Sequence, residues 1–436
     1  MKKNDIFGKI DFFESSGLRG AVVKREKLES VSINLMIKGG DELNPIGKGG
    51  LSNLFATMMS KGTKKFGSLE IAEMLDFLGA DFSFKADKDS IIFSFWFLKE
   101  HFDKIFTLIE EIFFYPTFPE DELNREKLKS VSSLYQMVDS PSALASYIFT
   151  KNIYSTHPYG NLPTPESISQ ITRSEILNLY ESIFRKNLLY LVVSGDLNAK
   201  NEAKILKLFD KLPSCGEEKK VEKALYRGRK FIFFDKPDST QSQIRLGFEG
   251  IPRETDRYEV INLMNYILGG GGFSSRLLLK VRTEAGLTYS TSSSFDSYKN
   301  GGSFRVSSFS KTETTVDAII LTENVLSEFI GNGATDKELK DAKSFYMGNL
   351  TLSLETPLDI AGKLMFAERY NLGNNFVFKE KDTYKRVKLE EVNLFAKKYL
   401  SSSNRLLVIV GNYNRIKNQL KKLENYGNVS VIEKLF

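Results

Sequence analysis

Cysteine occurs once, at Cys215, in 436 residues, so neither an intrachain disulfide nor a thiolate metal cluster is possible. Histidine is nearly as scarce. His101 and His157 stand far apart, and zinc held by those two would need carboxylate help and a close approach in space. His157 belongs to His157-Pro158-Tyr159-Gly160, which reads as a packed turn rather than a ligand. Long apolar runs are lacking too: the longest, near Ile91 to Leu98, contains Ser94 and falls far short of a membrane span. Met1 to Asp5 leads into mixed polar residues without an apolar signal core. These features predict a soluble, cytoplasmic protein, or a periplasmic one if a leader was removed. Charge of one sign is not concentrated either. The net charge of +6 is spread along the chain, which argues against nucleic acid and against a membrane surface as partners. Lys61, Lys64 and Lys65, like Lys219 and Lys220, read as solvated loops. No Gly-x-x-x-x-Gly-Lys-Ser/Thr loop is present, Gly270 to Gly272 do not continue as Gly-x-Gly-x-x-Gly, and no Gly-x-Ser-x-Gly elbow occurs.

What is there is a repeat. Glu122-Leu123 recurs as Glu338-Leu339, and Ser140-Pro141 as Thr356-Pro357. Glu175-Ile176 recurs as Glu391-Val392, and Val193-Ser194-Gly195-Asp196 as Ile409-Val410-Gly411-Asn412, all at one offset of 216 residues. Such self-similarity indicates two copies of one domain. The copies span 1–213 and 229–436, joined by a polar, aperiodic linker over 214–228.

Within each copy the pattern predicts a strand pair, Gly20 to Val23 with Val31 to Ile37 and Lys230 to Phe234 with Gln243 to Phe248. A helix follows, Leu51 to Met59 and Tyr258 to Leu268. Paired strands come next, Phe82 to Lys85 with Ser90 to Leu98 and Leu287 to Ser293 with Ser303 to Phe309, the latter joined at the hairpin signal Asn300-Gly301. A packed helix carries Ile105, Leu108, Ile109 and Ile112 in one copy. Its counterpart carries Val316, Ile319, Ile320 and Phe329 and is predicted to stop at Gly331. Thr335 to Glu338 forms a capping-box sequence. Ile112 to Tyr115 and Phe93 to Phe97 read as core. The fold class is α+β, with mostly antiparallel sheets and packed helices.

The most informative stretch runs from Leu268 to Ser290. Gly269, Gly270, Gly271 and Gly272 form a loop without side chains, where a partner or peptide could approach the backbone closely. Ser274 or Ser275 is placed to cap a short helix with Leu277, Leu278 and Val281 on its apolar face, and Gly286 is the kind of residue that ends a helix in a left-handed conformation. Arg282 and Tyr289 flank that corner with a forked cationic donor and a phenol. Two readings stay open for this pair. In one they bind substrate; in the other they are scaffold, with Arg282 paired to Glu284 and Tyr289 packed in the sheet.

Several segments in this order and spacing carry a family resemblance: Gly50-Leu51-Ser52 through Lys61-Gly62-Thr63, Phe118 with Arg125-Glu126-Lys127, Asp139-Ser140-Pro141, His157 to Gly160, Thr164 to Ile168, Val193 to Asp196, and Gly269 to Ser290. Together they resemble the pitrilysin and mitochondrial-processing-peptidase superfamily, the insulinase-like inverzincins, over nearly the whole chain. The resemblance implies two αβ-roll domains forming a clam-like monomer around an extended peptide. The family's metal motif is His-x-x-Glu-His with a distant glutamate, in which the histidines bind zinc and the intervening glutamate takes the proton of its water. Here the histidine positions fall on Asn53 and Thr57, the base on Ala56 and the distant glutamate near Ser133. An amide, a methyl and two hydroxyls neither hold zinc nor take a proton near neutral pH.

The resemblance therefore implies no metal and no cofactor in this chain, and no peptidase activity by it alone. Arg282 and Tyr289 match a pair that in active members resembles a substrate clamp. The expected role is a zinc-less subunit of a heterodimeric metallopeptidase, lending that pair to a homologous partner that carries the zinc. Substrate is expected to add as a strand at the first domain's sheet edge, in the region of Asp81 to Lys88. The alternative is a purely structural or interaction subunit with no role in proteolysis. A homodimer without the partner is a further option.

Overall fold

The computed structural model describes residues 9–26 and 28–436; the opening stretch Met1 to Asp5 lies outside them. The first copy contributes strands β1 (Lys9–Ser15), β2 (Leu18–Lys24), β3 (Ser30–Lys38), β4 (Asp81–Ala86), β5 (Ser90–Leu98) and β6 (Leu189–Gly195). The second contributes β7 (Arg229–Asp235), β8 (Gln241–Glu249), β9 (Ser290–Tyr298), β10 (Gly301–Lys311), β11 (Arg405–Gly411) and β12 (Val429–Ile432). They form two six-stranded sheets, ordered β1-β2-β6-β3-β5-β4 and β12-β7-β11-β8-β10-β9. The fold class is α+β, as the sequence predicts. Sequence landmarks and structure keep the same offset: β6 and β11 are equivalent, and so are the helices Pro141–Tyr154 and Pro357–Arg369.

The central strands are those with continuous apolar runs. All seven residues of β6 are buried, as a strand covered on both faces requires. The strands predicted as opening pairs are not neighbours. In the first sheet β6 lies between β2 and β3, parallel to the one and antiparallel to the other; β11 does the same between β7 and β8. The edge beside each opening strand differs. There β1 runs antiparallel to β2, whereas β12 runs parallel to β7.

The chain packs as two compact units that do not coincide with the two copies. Unit 1 comprises residues 1–133, 163–221 and 350–377; unit 2 comprises 134–162, 222–349 and 378–436. In unit 1 the Pro357–Arg369 helix lays Ile360, Ala361, Leu364 and Met365 on Ala21, Val23, Met36 and Val192. In unit 2 the Pro141–Tyr154 helix lays Leu144, Ala145 and Ile148 on Ile232, Phe234, Leu406 and Val408. Each sheet is thus covered by the equivalent helix of the other copy, and burial of these side chains ties each copy's core to the other copy's sequence.

Local signals hold at several ends and fail at others. Thr335 and Glu338 form the reciprocal capping box, with the Glu338 amide donating to Thr335 Oγ1 at 3.3 Å and the Thr335 amide to Glu338 Oε2 at 2.8 Å. The helix expected to stop at Gly331 continues to Asn332 and ends at Gly333, whose φ is +74°. A side chain at Gly333 would also strike Asn393. The β9–β10 hairpin turns on Lys299 and Asn300, and Gly301 already pairs with Tyr298. Ile105, Leu108, Ile109 and Ile112 are buried, as are Phe93, Phe95, Phe97 and Phe113. Residues 214–228 contain no helix or strand. Among the described residues no helix is long and apolar enough to cross a membrane.

Candidate substrate-binding corner

In unit 1 the helix Leu51–Met58 follows β3 and starts from Gly50, held at φ +96°. A side chain at Gly50 would meet Ile168. Asn53 is exposed, Thr57 half-buried and Ala56 fully buried. Thr57 Oγ1 donates to the Asn53 carbonyl at 2.9 Å, within the helix itself. Ser133 is exposed, near the end of the Glu120–Asp139 helix. The spacing of Asn53 and Thr57 keeps them on one helix face. Neutral short side chains there, one already bonded to its own backbone, do not fit a zinc ion. Among the described residues no group of three or more His, Cys, Asp or Glu could hold a metal.

His157 is a packed turn residue. Its Nδ1 accepts from the Tyr159 amide at 3.1 Å. That leaves the proton on Nε2 to be donated to the Glu222 carbonyl at 2.9 Å.

In unit 2 the equivalent helix, Tyr258–Asn265, leads into a wider, π-helical turn over Tyr266–Gly270, closed by the Gly271 amide donating to the Tyr266 carbonyl at 2.8 Å. A second π-helical stretch covers Leu278–Glu284. Such widened turns recur at functional sites because they shift side chains off the regular helical face. Asn265 anchors the first turn to β9, donating to the Ser293 carbonyl at 3.0 Å and accepting from Ser293 Oγ at 2.7 Å.

The four glycines do not form one open loop. Gly269 is buried, and a side chain there would come within 2.6 Å of the Ser293 backbone nitrogen; one at Gly271 would come within 2.7 Å of the Tyr266 carbonyl oxygen. Gly270 would crowd the Asn265 amide. Only Gly272, at φ +57°, faces open space. Close packing of the chain on itself accounts for the first three, and a left-handed turn for the fourth. Ser275 begins the next helix in extended conformation, but its hydroxyl donates backward to the Gly272 carbonyl at 2.7 Å instead of capping forward. Gly286 ends that helix at φ +65°.

Leu277 and Val281 are fully buried beneath this helix, and Arg282 on its other side is exposed. Arg282 forms no ion pair among the described residues. Glu284 is held instead by Lys280 at 3.3 Å. The Arg282 guanidinium lies over the Phe273 ring at 5.1 Å, and Phe273 is itself 75% exposed. Tyr289 is 51% exposed and stacks on Phe309 with ring centres 5.8 Å apart and planes 20° apart. Its hydroxyl has no hydrogen-bond partner among the described residues. The neighbouring Thr288 is buried and pins the turn by accepting from the Ser290 amide at 3.2 Å. Both polar tips therefore rest on aromatic shelves with their donors unspent. The shelves Phe273 and Phe309 escaped the sequence reading. An exposed phenylalanine directly after four glycines was the available signal.

Two family models match the chain: insulinase, peptidase family M16, over residues 20–162, and the peptidase M16 inactive domain over residues 170–346. The chain belongs to the insulinase (M16) peptidase family. Among M16 relatives, a Helicobacter pylori protein described as a non-peptidase homolog, YmxG, is 27% identical over 87% of this chain and 88% of its own length. A Bacillus subtilis protein described as an uncharacterized zinc protease, also YmxG, is 25% identical over 78% of this chain and 83% of its own. The crystal structure of a peptidase M16 inactive domain from Pseudomonas fluorescens matches with a TM-score of 0.86 and 27% identity, covering 93% of this chain and 98% of that one. A Helicobacter pylori protease, 18% identical, shares the fold with a TM-score of 0.83 over 92% of this chain and 99% of its own. This chain is thus an M16 homologue that matches the family's inactive-domain model.

Proposed function

We propose that this chain is the non-catalytic subunit of a two-chain M16 peptidase, presenting Arg282 and Tyr289 to a peptide held against a homologous, zinc-bearing partner. The observation that carries this reading is the state of the pair. Both side chains are exposed, supported by aromatic rings and without hydrogen-bond partners among the described residues, in a chain whose metal-motif positions are chemically blank. A guanidinium donates well to peptide carbonyls or a carboxylate, and a phenol steadies a carbonyl oxygen as negative charge grows on it. The metal and its bound water belong to the partner. An extended substrate pairs with an open sheet edge, and β4, the first sheet's edge strand, offers one.

The test is co-purification with an M16 homologue that carries His-x-x-Glu-His, followed by peptide-cleavage assays of each chain and of the mixture. Cleavage by the mixture that Arg282→Ala cripples, without dissolving the complex, is the expected result. Stable association with no cleavage in any mixture would mean that the chain serves as a structural scaffold instead.

A further inference from the structure

We infer that the first sheet carries a docking cavity for an arginine side chain of a second polypeptide, formed by Trp96, Ser32, Ser194 and Glu355. It does not depend on the role proposed for Arg282 and Tyr289. The cavity measures about 340 Å³ and is walled by Leu28, Trp96, Pro357 and Leu358, with the buried Ser32 and Ser194 as its floor and the exposed Glu355 at its rim. Side chains alternate along a strand, so Ser32 and Ser194 share the sheet face of Met36 and Val192, on which the Pro357–Arg369 helix packs. The Leu51–Met58 helix lies on the opposite face, where Phe55 meets Phe93 at 6.3 Å. The cavity is therefore separate from the metal-motif positions.

The second sheet shows why the space exists. Asn34 of β3 lies opposite Val192 of β6, and Arg245 of β8 opposite Val408 of β11. The two valines are 216 residues apart, so Asn34 and Arg245 hold one place in the two copies. Arg245 fills its place. Buried, it ties the Pro141–Tyr154 helix to the sheet by donating to Ser142 Oγ at 2.7 Å, Ser142 O at 2.9 Å and Ser146 Oγ at 3.1 Å. In the first sheet the same offset puts Leu358 and Gly362 where Ser142 and Ser146 stand, and the shorter Asn34 turns to its own strand. Its Nδ2 donates to Ser32 Oγ at 3.0 Å, and the Ser32 and Ser194 hydroxyls share a hydrogen bond of 2.6 Å. Asn34 Oδ1 is buried with no hydrogen-bond partner. The first sheet thus keeps acceptors and space at a contact that a guanidinium completes in the second.

An arginine from outside complements each part of this site. Its planar head stacks on an indole, its apolar stem suits leucine walls, and its donors suit serine hydroxyls. Glu355 has no ion pair among the described residues, and Asp81, exposed and directly opposite Trp96 on the same face, adds a second carboxylate. Cations on this face do not compete. Arg19 and Lys38 pair with Glu368 at 2.9 and 3.1 Å, and neither Arg25 nor Lys85 lines the cavity. Entry is open, since Trp96 and Leu358 are 40% and 45% exposed.

Trp96 is the only tryptophan of the chain, so its fluorescence reports on this cavity alone. The full-length chain is titrated with a short glycine–serine peptide carrying one central arginine, and with the same peptide carrying citrulline, its neutral isostere, or norleucine. The arginine peptide should change the emission saturably and bind about ten- to a hundredfold more tightly than the other two, the worth of one charge-assisted contact. Glu355→Gln, at an exposed position, should remove most of that preference and leave the citrulline peptide unchanged. Asn34→Arg, which supplies a guanidinium from within as Arg245 does, should abolish the response. If that variant does not fold, the Glu355→Gln comparison decides alone. No saturable response to the arginine peptide, equal affinity for arginine and citrulline, or a preference that survives Glu355→Gln intact overturns the inference. Norleucine binding as tightly as arginine would mark the cavity as merely apolar and overturns it too.

Discussion

The Leu51–Met58 helix of unit 1 and the Tyr258–Asn265 helix of unit 2 occupy equivalent places, each following an inner strand of a six-stranded sheet, and their chemistry has diverged in opposite directions. The first is a regular helix on which Asn53, Ala56 and Thr57 are neutral, with the Thr57 hydroxyl spent on the Asn53 carbonyl. The second runs on through two π-helical stretches and delivers a guanidinium and a phenol that no other described residue hydrogen-bonds. The difference teaches where to look for function in a duplicated fold. Polar groups satisfied internally have nothing left for a ligand, whereas groups held on rings with their donors free are available.

The largest effect that would sharpen this contrast concerns Tyr289. In an active mixture with a zinc-bearing homologue, Tyr289→Phe should lower kcat by about a hundredfold or more, the loss seen when one donor to a developing oxyanion is removed, with the complex intact by gel filtration. The contrast could be broken from the other side by refilling the blank helix. Asn53→His with Thr57→His places two imidazoles four residues apart on one face. Zinc at a hundredfold excess over its Kd should then stabilise the variant by about 2.7 kcal/mol, read as a rise in melting temperature that the wild type lacks.

A smaller effect tests the glycine run. Gly269→Ala pushes a methyl against the Ser293 backbone and should cost about 1–3 kcal/mol, while Gly272→Asn, at a left-handed position facing open space, should cost well under 1 kcal/mol. Equal penalties would contradict the packing role given to Gly269.

The smallest is a pH effect at Glu338. Burial would raise its pKa, but hydrogen bonds from Arg276 and from the Thr335 amide and hydroxyl outweigh that and hold the carboxyl below its usual range. Arg276 grips it through Nε to Oε1 at 2.7 Å and Nη2 to Oε2 at 2.8 Å. A depressed folded-state pKa contributes stability above the ordinary value and loses it as pH falls through the folded one. Arg276→Ala should therefore cost about 1–2 kcal/mol at pH 7, and the gap should shrink below about pH 4. A gap independent of pH would show that the loss is one of packing on Phe329.

Much of this was legible in the sequence because local chemistry decided it. The segments Val31 to Ile37, Ser90 to Leu98 and Gln243 to Phe248 marked β3, β5 and β8, Thr335 and Glu338 marked a helix start, and Gly286 marked a helix end. Strand order was not legible, since β6 inserts between β2 and β3 from far along the chain, and no local pattern records such a crossover. Nor was β1, whose Lys9, Asp11 and Glu14 give it the polarity of a solvated edge. The exchange of the Pro141–Tyr154 and Pro357–Arg369 helices was hidden for another reason: as copies of one element, each reads as suited to either sheet. At the corner, Arg282 and Tyr289 stood out, but the rings beneath them did not, because the shelves form only when the turn closes. Arg245 and Asn34 were visible as polar residues within strands. Their equivalent placement depends on the pairing of β8 with β11 and of β3 with β6.

The most direct measurement is metal content and peptide cleavage for the purified chain alone and mixed with a zinc-bearing M16 homologue. The account predicts no stoichiometric zinc and no cleavage by the chain alone, with cleavage in the mixture that depends on Arg282 and Tyr289. Stoichiometric zinc together with proteolysis in the isolated chain would contradict it.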